Sequence, residues 1–220
     1  MIFPSINALF IHIPKCAGMN ILNNFVSNNI FFEKECCHKR MSSFEQHQVD
    51  DLFKFTFIRN PWDRIASHYF FNGPGAPQWP ELLFTLHNKN RYYEIKRQYR
   101  YPSGFQDIKF DEYIKNYVCN DSISPNPQNF GVSKSILYNL KNKQDKVDFN
   151  FIGRVENFET DFRILLQKLN LDLKIQEEVN CHPRKIVYNN LYNSYLYDVV
   201  KDYFKEEIDY FGFEYNINEK

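Results

Sequence analysis

The sequence has no excess of charge. Its 27 Lys and Arg residues are matched by 27 Asp and Glu, for a formal net charge of zero. A general affinity for nucleic acid or for acidic membranes is therefore not expected, and any anion site must be built locally. Long apolar runs are missing too: no segment approaches the length of a spanning helix. The opening Met1-Ile-Phe-Pro-Ser-Ile-Asn carries no basic region, and the apolar stretch after it breaks at His12 and Lys15. That is not the pattern of a signal peptide. As written, the chain is expected to be soluble and cytoplasmic, a trimmed membrane anchor being the one exception.

Framework cysteines are absent as well. The five Cys are Cys16, the adjacent Cys36 and Cys37, Cys119 and Cys181, an odd number without disulfide-scaffold spacing, so free thiols are expected. Cys36, Cys37, His38 and His47 can be drawn as a zinc site. Vicinal cysteines are awkward ligands for one tetrahedral ion, however, and there is no C-x-x-C partner, so no metal is expected. Alanine is scarce, whereas 22 Phe and 15 Tyr supply much of the core that a chain of 220 residues and 43% hydrophobic content can bury. With the abundant Asn and Lys, this is a bias of composition rather than of mechanism. Finally, G-x-x-x-x-G-K-[ST] occurs nowhere, which weighs against a P-loop kinase or NTPase.

What is present is a series of strand–loop–helix units. Ala8-Leu-Phe-Ile-His-Ile13 is too short and apolar for a helix and is bounded by Pro14, so it reads as a buried strand. A loop over Pro14–Gly18 and a helix over Asn20–Val26 follow. Phe53-Lys-Phe-Thr-Phe-Ile58 alternates and is rich in aromatic and β-branched residues, a second strand. After Arg59, Asn60 suits a helix N-cap, Pro61 the first helical position and Asp63 the positive end of the dipole, which predicts a helix from Pro61 to about Phe71. Asn72–Pro77 reads as a loop, and the stretch to about Ser103 as irregular and aromatic. Phe110–Val118 is expected to be helical, Asp121–Phe130 a loop and Asp148–Ile152 a third strand. An amphipathic helix over Glu159–Leu169 and one long helix over Tyr195–Tyr210 complete the chain. No repeat or domain boundary is visible. The expected fold is a single α/β domain over residues 1–220, with a mostly parallel sheet and helices on both faces.

Two junctions carry the chemistry. The first is Ile11-His-Ile-Pro-Lys-Cys-Ala-Gly-Met-Asn20, between a strand and a helix. Such a junction aims backbone N–H groups and the positive helix end at one spot, which favours a phosphate. Gly18 would allow close backbone approach and Lys15 adds a full charge; the alternative is an ordinary tight turn. The second is Phe57-Ile-Arg-Asn-Pro-Trp-Asp-Arg-Ile-Ala-Ser-His-Tyr69. Arg59 stands at the carboxyl end of a strand, where open α/β sheets bind ligands, and Ser67 follows two turns into the next helix. A guanidinium and a hydroxyl so placed can converge on one phosphate. Alternatively, Arg59 pairs with an acid and Ser67 packs.

In this order the two motifs resemble the cofactor-binding signatures of sulfotransferases, especially Golgi-type carbohydrate enzymes and their microbial relatives. The first signature, approximately H-I-P-K-T-A-G-T-S, is similar to His12-Ile-Pro-Lys-Cys-Ala-Gly-Met-Asn20. The second, approximately V-R-N-P-[YW]-D-R-[LIV]-x-S-x-Y, is similar to Ile58 through Tyr69. Phe151-Ile-Gly-Arg-Val-Glu-Asn-Phe158 and the segment Tyr203–Phe213 also resemble the family, while the middle third is loosely covered.

The resemblance implies a P-loop-like α/β fold and transfer of a sulfuryl group from 3′-phosphoadenosine 5′-phosphosulfate, without metal, to a hydroxyl-bearing acceptor such as a glycan. It implies that Lys15, Cys16, Ala17, Gly18, Met19 and Asn20 wrap the 5′-phosphosulfate, and that Arg59 and Ser67 hold the 3′-phosphate. Cys16, Met19 and Asn20 replace the family's Thr, Thr and Ser, so hydroxyl donors are lost. That leaves room for weakened affinity or for a non-catalytic nucleotide- or glycan-binding relative. Lys15 suits stabilisation of charge on the leaving phosphate. For the base, the carbohydrate 2-O-sulfotransferase branch places a His ahead of the second signature by about the interval from His38 to Arg59. This favours His38 over His47, with Glu35 or Glu45 as carboxylate alternatives. Lys39 and Arg40 beside His38 are expected to keep it neutral. The basic, aromatic stretch Lys89–Tyr101 is either an acceptor surface for an acidic sugar or a solvated face.

Overall fold

The computed structural model describes residues 1–33, 38–72, 82–88, 91–96, 108–119, 132–176 and 188–215. The described part of the chain divides into two compact units.

In the first unit a mixed four-stranded sheet has the order β1 (Ile2–Phe3), β2 (Ala8–Ile11), β3 (Phe53–Ile58), β6 (Phe151–Arg154). β1 runs antiparallel to β2, whereas β2, β3 and β6 are mutually parallel, with Ala8 opposite Phe53 and Phe55 opposite Phe151. Both inner strands are buried along their length apart from Phe53, as the short apolar runs require. Alternation sends Ala8, Phe10, Phe55 and Phe57 to one face. There they meet α1 (Gly18–Ser27) through Ile21, Leu22 and Phe25, and α6 (Phe158–Lys168) through Phe162, Leu165 and Leu166. The phenylalanines interlock: Phe10 stacks on Phe55 at 5.0 Å, and Phe158 on Phe162 at 5.4 Å. Each fully buried ring contributes about 1.5–3 kcal/mol. Gly153 makes this packing possible, because a Cβ there would lie 2.5 Å from the ring of Phe57.

The third strand begins at Phe151 rather than at Asp148. Asp148 and Asn150 reach β3 with their side chains instead: Lys54 Nζ pairs with Asp148 at 2.7 Å, and the Lys54 N–H donates to Asn150 Oδ1 at 2.7 Å. Polar side chains also fix the tail of this unit. Asn24 Oδ1 accepts from the Gln176 N–H at 2.7 Å, and Asn28 Nδ2 donates to the Lys174 carbonyl at 3.0 Å.

Further elements are α2 (Gln46–Val49), α3 (Pro61–Asn72) and the paired strands β4 (Leu82–Asn88) and β5 (Arg91–Lys96). α4 (Phe110–Tyr113) continues as a π-helical turn over Ile114–Val118, and α5 (Ile136–Leu140), α7 (Ser194–Tyr203) and α8 (Lys205–Phe211) complete the set. The stretch expected to be irregular up to Ser103 therefore contains two strands. Their Phe, Tyr, Thr and Ile suit a sheet. The expected loop at Asp121–Phe130, and all of Asn72–Pro77 except Asn72, lie outside the described residues; Asn72 itself ends α3. The single long C-terminal helix is two helices. Phe204, at φ −102° and ψ 19°, interrupts it, and its ring is buried beneath the Arg64 guanidinium, 5.6 Å away.

The second unit is organised around α3. Asn60 caps it as expected, Oδ1 accepting from the Trp62 N–H at 3.1 Å, and its Nδ2 donates to the Glu214 carbonyl at 2.7 Å. Trp62 stacks on Tyr197 at 5.2 Å, and the Tyr192 hydroxyl donates to the Trp62 carbonyl at 2.8 Å. Fully buried Arg64 donates through Nη2 to the carbonyls of Val132 and Lys134 at 3.0 and 2.7 Å. Much of the second motif thus serves the architecture of its own unit.

Candidate functional site

The first junction is a loop of unusual backbone. β2 ends at Ile11, His12 and Ile13 continue beyond it, and α1 starts at Gly18. Within the loop Lys15 has φ 67° and Ala17 φ 56°, both left-handed. Non-glycine residues hold such angles at a cost of about 1–3 kcal/mol each, and such strain clusters where a backbone must present its N–H groups. A chain that changes hand from residue to residue curls its N–H groups into a concave anion-binding nest. Gly18 and Met19 stand in the first turn of α1, where N–H donors have no acceptor within their own helix. The charge of Lys15 is carried on the same loop.

Gly18 is not the residue that supplies the unusual angles. The reason for glycine here is the ring of His12: a Cβ at position 18 would lie 1.9 Å from its Nε2. In phase with Ala8 and Phe10, His12 faces the side of the sheet that α1 covers, and it stacks on Phe10 at 5.5 Å. It is buried, and the helix begins directly over it.

Two further expected residues meet this loop. The half-buried Arg59 donates from Nη1 to the Lys15 carbonyl at 3.1 Å, bracing the strained turn from the end of β3. His38 places Nδ1 2.9 Å from the His12 carbonyl oxygen, and the two imidazoles lie 4.4 Å apart. A carbonyl can only accept, so Nδ1 carries the hydrogen and Nε2 of the neutral ring keeps its lone pair. As a whole residue His38 is exposed to solvent, while protein atoms crowd its imidazole. Desolvation therefore holds its pKa below the ordinary 6.5, outweighing the hydrogen bond to His12, which pulls upward. The expected direction is found, but burial drives it rather than Lys39 and Arg40. Those two turn to aromatic faces, Lys39 Nζ 4.5 Å from the Phe44 ring and Arg40 4.8 Å from that of Tyr138.

The three departures from the signature behave differently from one another. Cys16 is buried and its thiol turns back to the Pro14 carbonyl at 3.7 Å, away from the nest. Met19 packs against the aromatic core. Asn20 is buried, and its carbonyl accepts from Asn24 Nδ2 at 2.8 Å.

Ser67 lies half-buried on α3, in the second unit. Next to it, His68 is buried, with Nδ1 2.5 Å from the Tyr113 hydroxyl, so it is committed to packing. His47, the competing base, sits exposed on α2, where Glu45 forms the capping box with Gln48 and pairs with Lys143 at 2.5 Å. Glu35, Cys36 and Cys37 lie outside the described residues, as does most of Lys89–Tyr101 apart from the backbone of β5. Cys16 and Cys119 are free thiols. Among the described residues no group of His, Cys, Asp and Glu could hold a metal ion, and no helix is long and apolar enough to cross a membrane.

The sequence alone points to no catalytic or cofactor-holding role for His12. Its strand phase placed its ring inward, toward α1, but the contact with Gly18 depends on the helix path. A family model described as the sulfotransferase family matches residues 1–214. No curated protein and no solved structure matches the chain.

Proposed function

The chain belongs to the sulfotransferase family, and from that premise we propose that it transfers a sulfuryl group from 3′-phosphoadenosine 5′-phosphosulfate to a hydroxyl on a carbohydrate. The observation that supports this best is the loop at Lys15–Gly18. Its left-handed residues, its position at the start of a ten-residue helix and its brace from Arg59 suit an anion of phosphate size. The family match runs across both units, and the reading covers residues 1–220 as one sulfotransferase domain.

The donor, when bound, supplies an activated sulfuryl group whose S–O bond to the 5′-phosphate breaks as the acceptor oxygen bonds to sulfur, releasing 3′-phosphoadenosine 5′-phosphate. The residues of the chain divide the remaining work. The loop from Lys15 through Asn20 wraps the phosphosulfate end, its donors being N–H groups other than those of Cys16 and Asn20, which bond the Ile13 and Ala17 carbonyls, and Lys15 stabilises the charge that grows on the leaving phosphate. Arg59 and Ser67 take the 3′-phosphate, as their motif implies. His38 Nε2 accepts the proton of the acceptor hydroxyl, its lone pair kept available by the Nδ1–H bond to His12. Holding the reacting groups in line supplies most of the remaining acceleration.

Calorimetry with 3′-phosphoadenosine 5′-phosphate against ATP tests the nucleotide class. Tighter binding of ATP would reject the proposal. Turnover of the labelled donor over glycan, lipid and peptide acceptors tests the reaction. The inward-turned Cys16 and Met19 favour one other reading, a nucleotide-binding relative that does not turn over. Binding without transfer to any acceptor would select it.

A further inference from the structure

We infer that His12 is a positioning residue that couples the anion loop to His38. Its two ends face two different partners. The carbonyl accepts the Nδ1–H of His38 at 2.9 Å, and the ring stands 4.4 Å from the His38 ring and fills the space under the first residue of α1. The ring is also backed by Phe10 at 5.5 Å. Just upstream, the Ile11 carbonyl accepts from the buried Thr56 hydroxyl at 2.8 Å, which ties this strand end to β3.

The consequence is mechanical. His12 is enclosed by Phe10, Gly18 and His38, and it is buried, so its ring has little room to move independently. A shift of the α1 start presses on the His12 ring, and that ring presses on the imidazole whose tautomer its own carbonyl sets. The state of the anion loop is thereby transmitted to the orientation and tautomer of His38. The catalytic meaning of this coupling rests on the reading of His38 as the base; the coupling itself does not.

The test uses the full chain labelled with ¹⁵N-histidine and two-bond ¹H–¹⁵N spectra, the His38 signals being identified by their loss in His38→Gln. Wild-type protein should show His38 protonated on Nδ1 with Nε2 bare. His12→Ala, and independently Gly18→Ala, should mix the tautomers and move the His38 pKa toward its ordinary value. His12→Phe, which keeps a flat ring in place, should restore the wild-type pattern. If His12→Ala does not fold, His12→Gln takes its place. The double variant His12→Ala/Gly18→Ala should melt higher than Gly18→Ala alone, because the methyl group then enters vacated space. With the tautomer loosened, kcat should fall by up to about 10²-fold, the scale of a misplaced catalytic group, with a smaller change in affinity for 3′-phosphoadenosine 5′-phosphate. An unchanged His38 pattern in both the His12 and the Gly18 variants overturns the inference. A changed pattern with undiminished turnover upholds the coupling and removes His38 as the base.

Discussion

The ring of His12 stands where a side chain on residue 18 would have to be, 1.9 Å from the Cβ that Gly18 does not have. A histidine at a strand end and a glycine at a helix start are thus one packing unit. Gly18→Ala must displace a buried ring stacked on Phe10. Overpacking of this kind costs about 1–3 kcal/mol, so denaturant unfolding should show a lower midpoint at an unchanged slope. A midpoint equal to wild type would mean that the ring yields freely.

Ala17 holds φ 56° without being glycine. Ala17→Gly relieves a left-handed strain of about 1–2 kcal/mol and loses about 0.4–1 kcal/mol through the freer unfolded chain. The net expectation is stability unchanged or raised by up to about 1.5 kcal/mol by those ranges, read from the same unfolding curves. A clear loss would show that the turn is not left-handed in solution.

Arg59 touches the loop through the Lys15 carbonyl, and its motif also implies a contact with the 3′-phosphate. Arg59→Ala should weaken 3′-phosphoadenosine 5′-phosphate by about 1.5–3 kcal/mol, the range for charge-assisted bonds, while adenosine 5′-phosphosulfate loses much less. Calorimetry separates the roles. Equal losses for the two ligands would leave Arg59 as a brace for the turn alone.

Lys15 is proposed to stabilise the leaving phosphate, an interaction strongest in the transition state. Lys15→Ala should therefore lower kcat by more than it weakens donor binding. Lys15→Arg should not restore full turnover, because a planar fork does not reproduce a compact ammonium. Unchanged kcat with a raised KM would reduce Lys15 to a binding residue.

His38 is held below the ordinary imidazole pKa of 6.5 by burial, with the bond to His12 opposing. A base works in its neutral form, so activity should persist below pH 6.5 and be lost only as pH falls through the lowered value. The linked stability has the same sign. The unfolded chain binds the proton more readily, so stability is full above about pH 6.5 and declines as pH drops from there toward the folded value. His38→Gln should remove the acid limb of both profiles and cut kcat by about 10²–10⁴-fold. An acid limb that survives in His38→Gln, in a variant that still turns over, would assign it to another group.

Of the fold, the elements written in local pattern were legible. The runs at Ala8–Ile11 and Phe53–Ile58 are short, apolar and bounded, and the Asn60-Pro61 start of α3 is a local capping signal whose hydrogen bond to Trp62 is present. Position in the sheet was less so. The third strand slid to Phe151 because Asp148 and Asn150 spend their side chains on Lys54, a partner 94 and 96 residues away. The C-terminal helix broke at Phe204 because its ring is needed beneath Arg64, which periodicity along one segment does not reveal.

The candidate site divides in the same way. By itself the sequence determined the family, the two motifs and the strand-to-helix junction that presents Lys15 and Gly18. Those depend on residue order and on periods of 2 and 3.6, which neighbours in the chain enforce. Only the tertiary structure decided that Lys15 and Ala17, not Gly18, take the left-handed angles. It likewise decided that Met19 faces the core, that Arg59 grips the Lys15 carbonyl across 44 residues, and that His38 leans on the His12 carbonyl across 26. These choices are settled by which atoms compete for the same space once strands and helices have packed. Such competition between distant residues leaves no periodic trace along the chain.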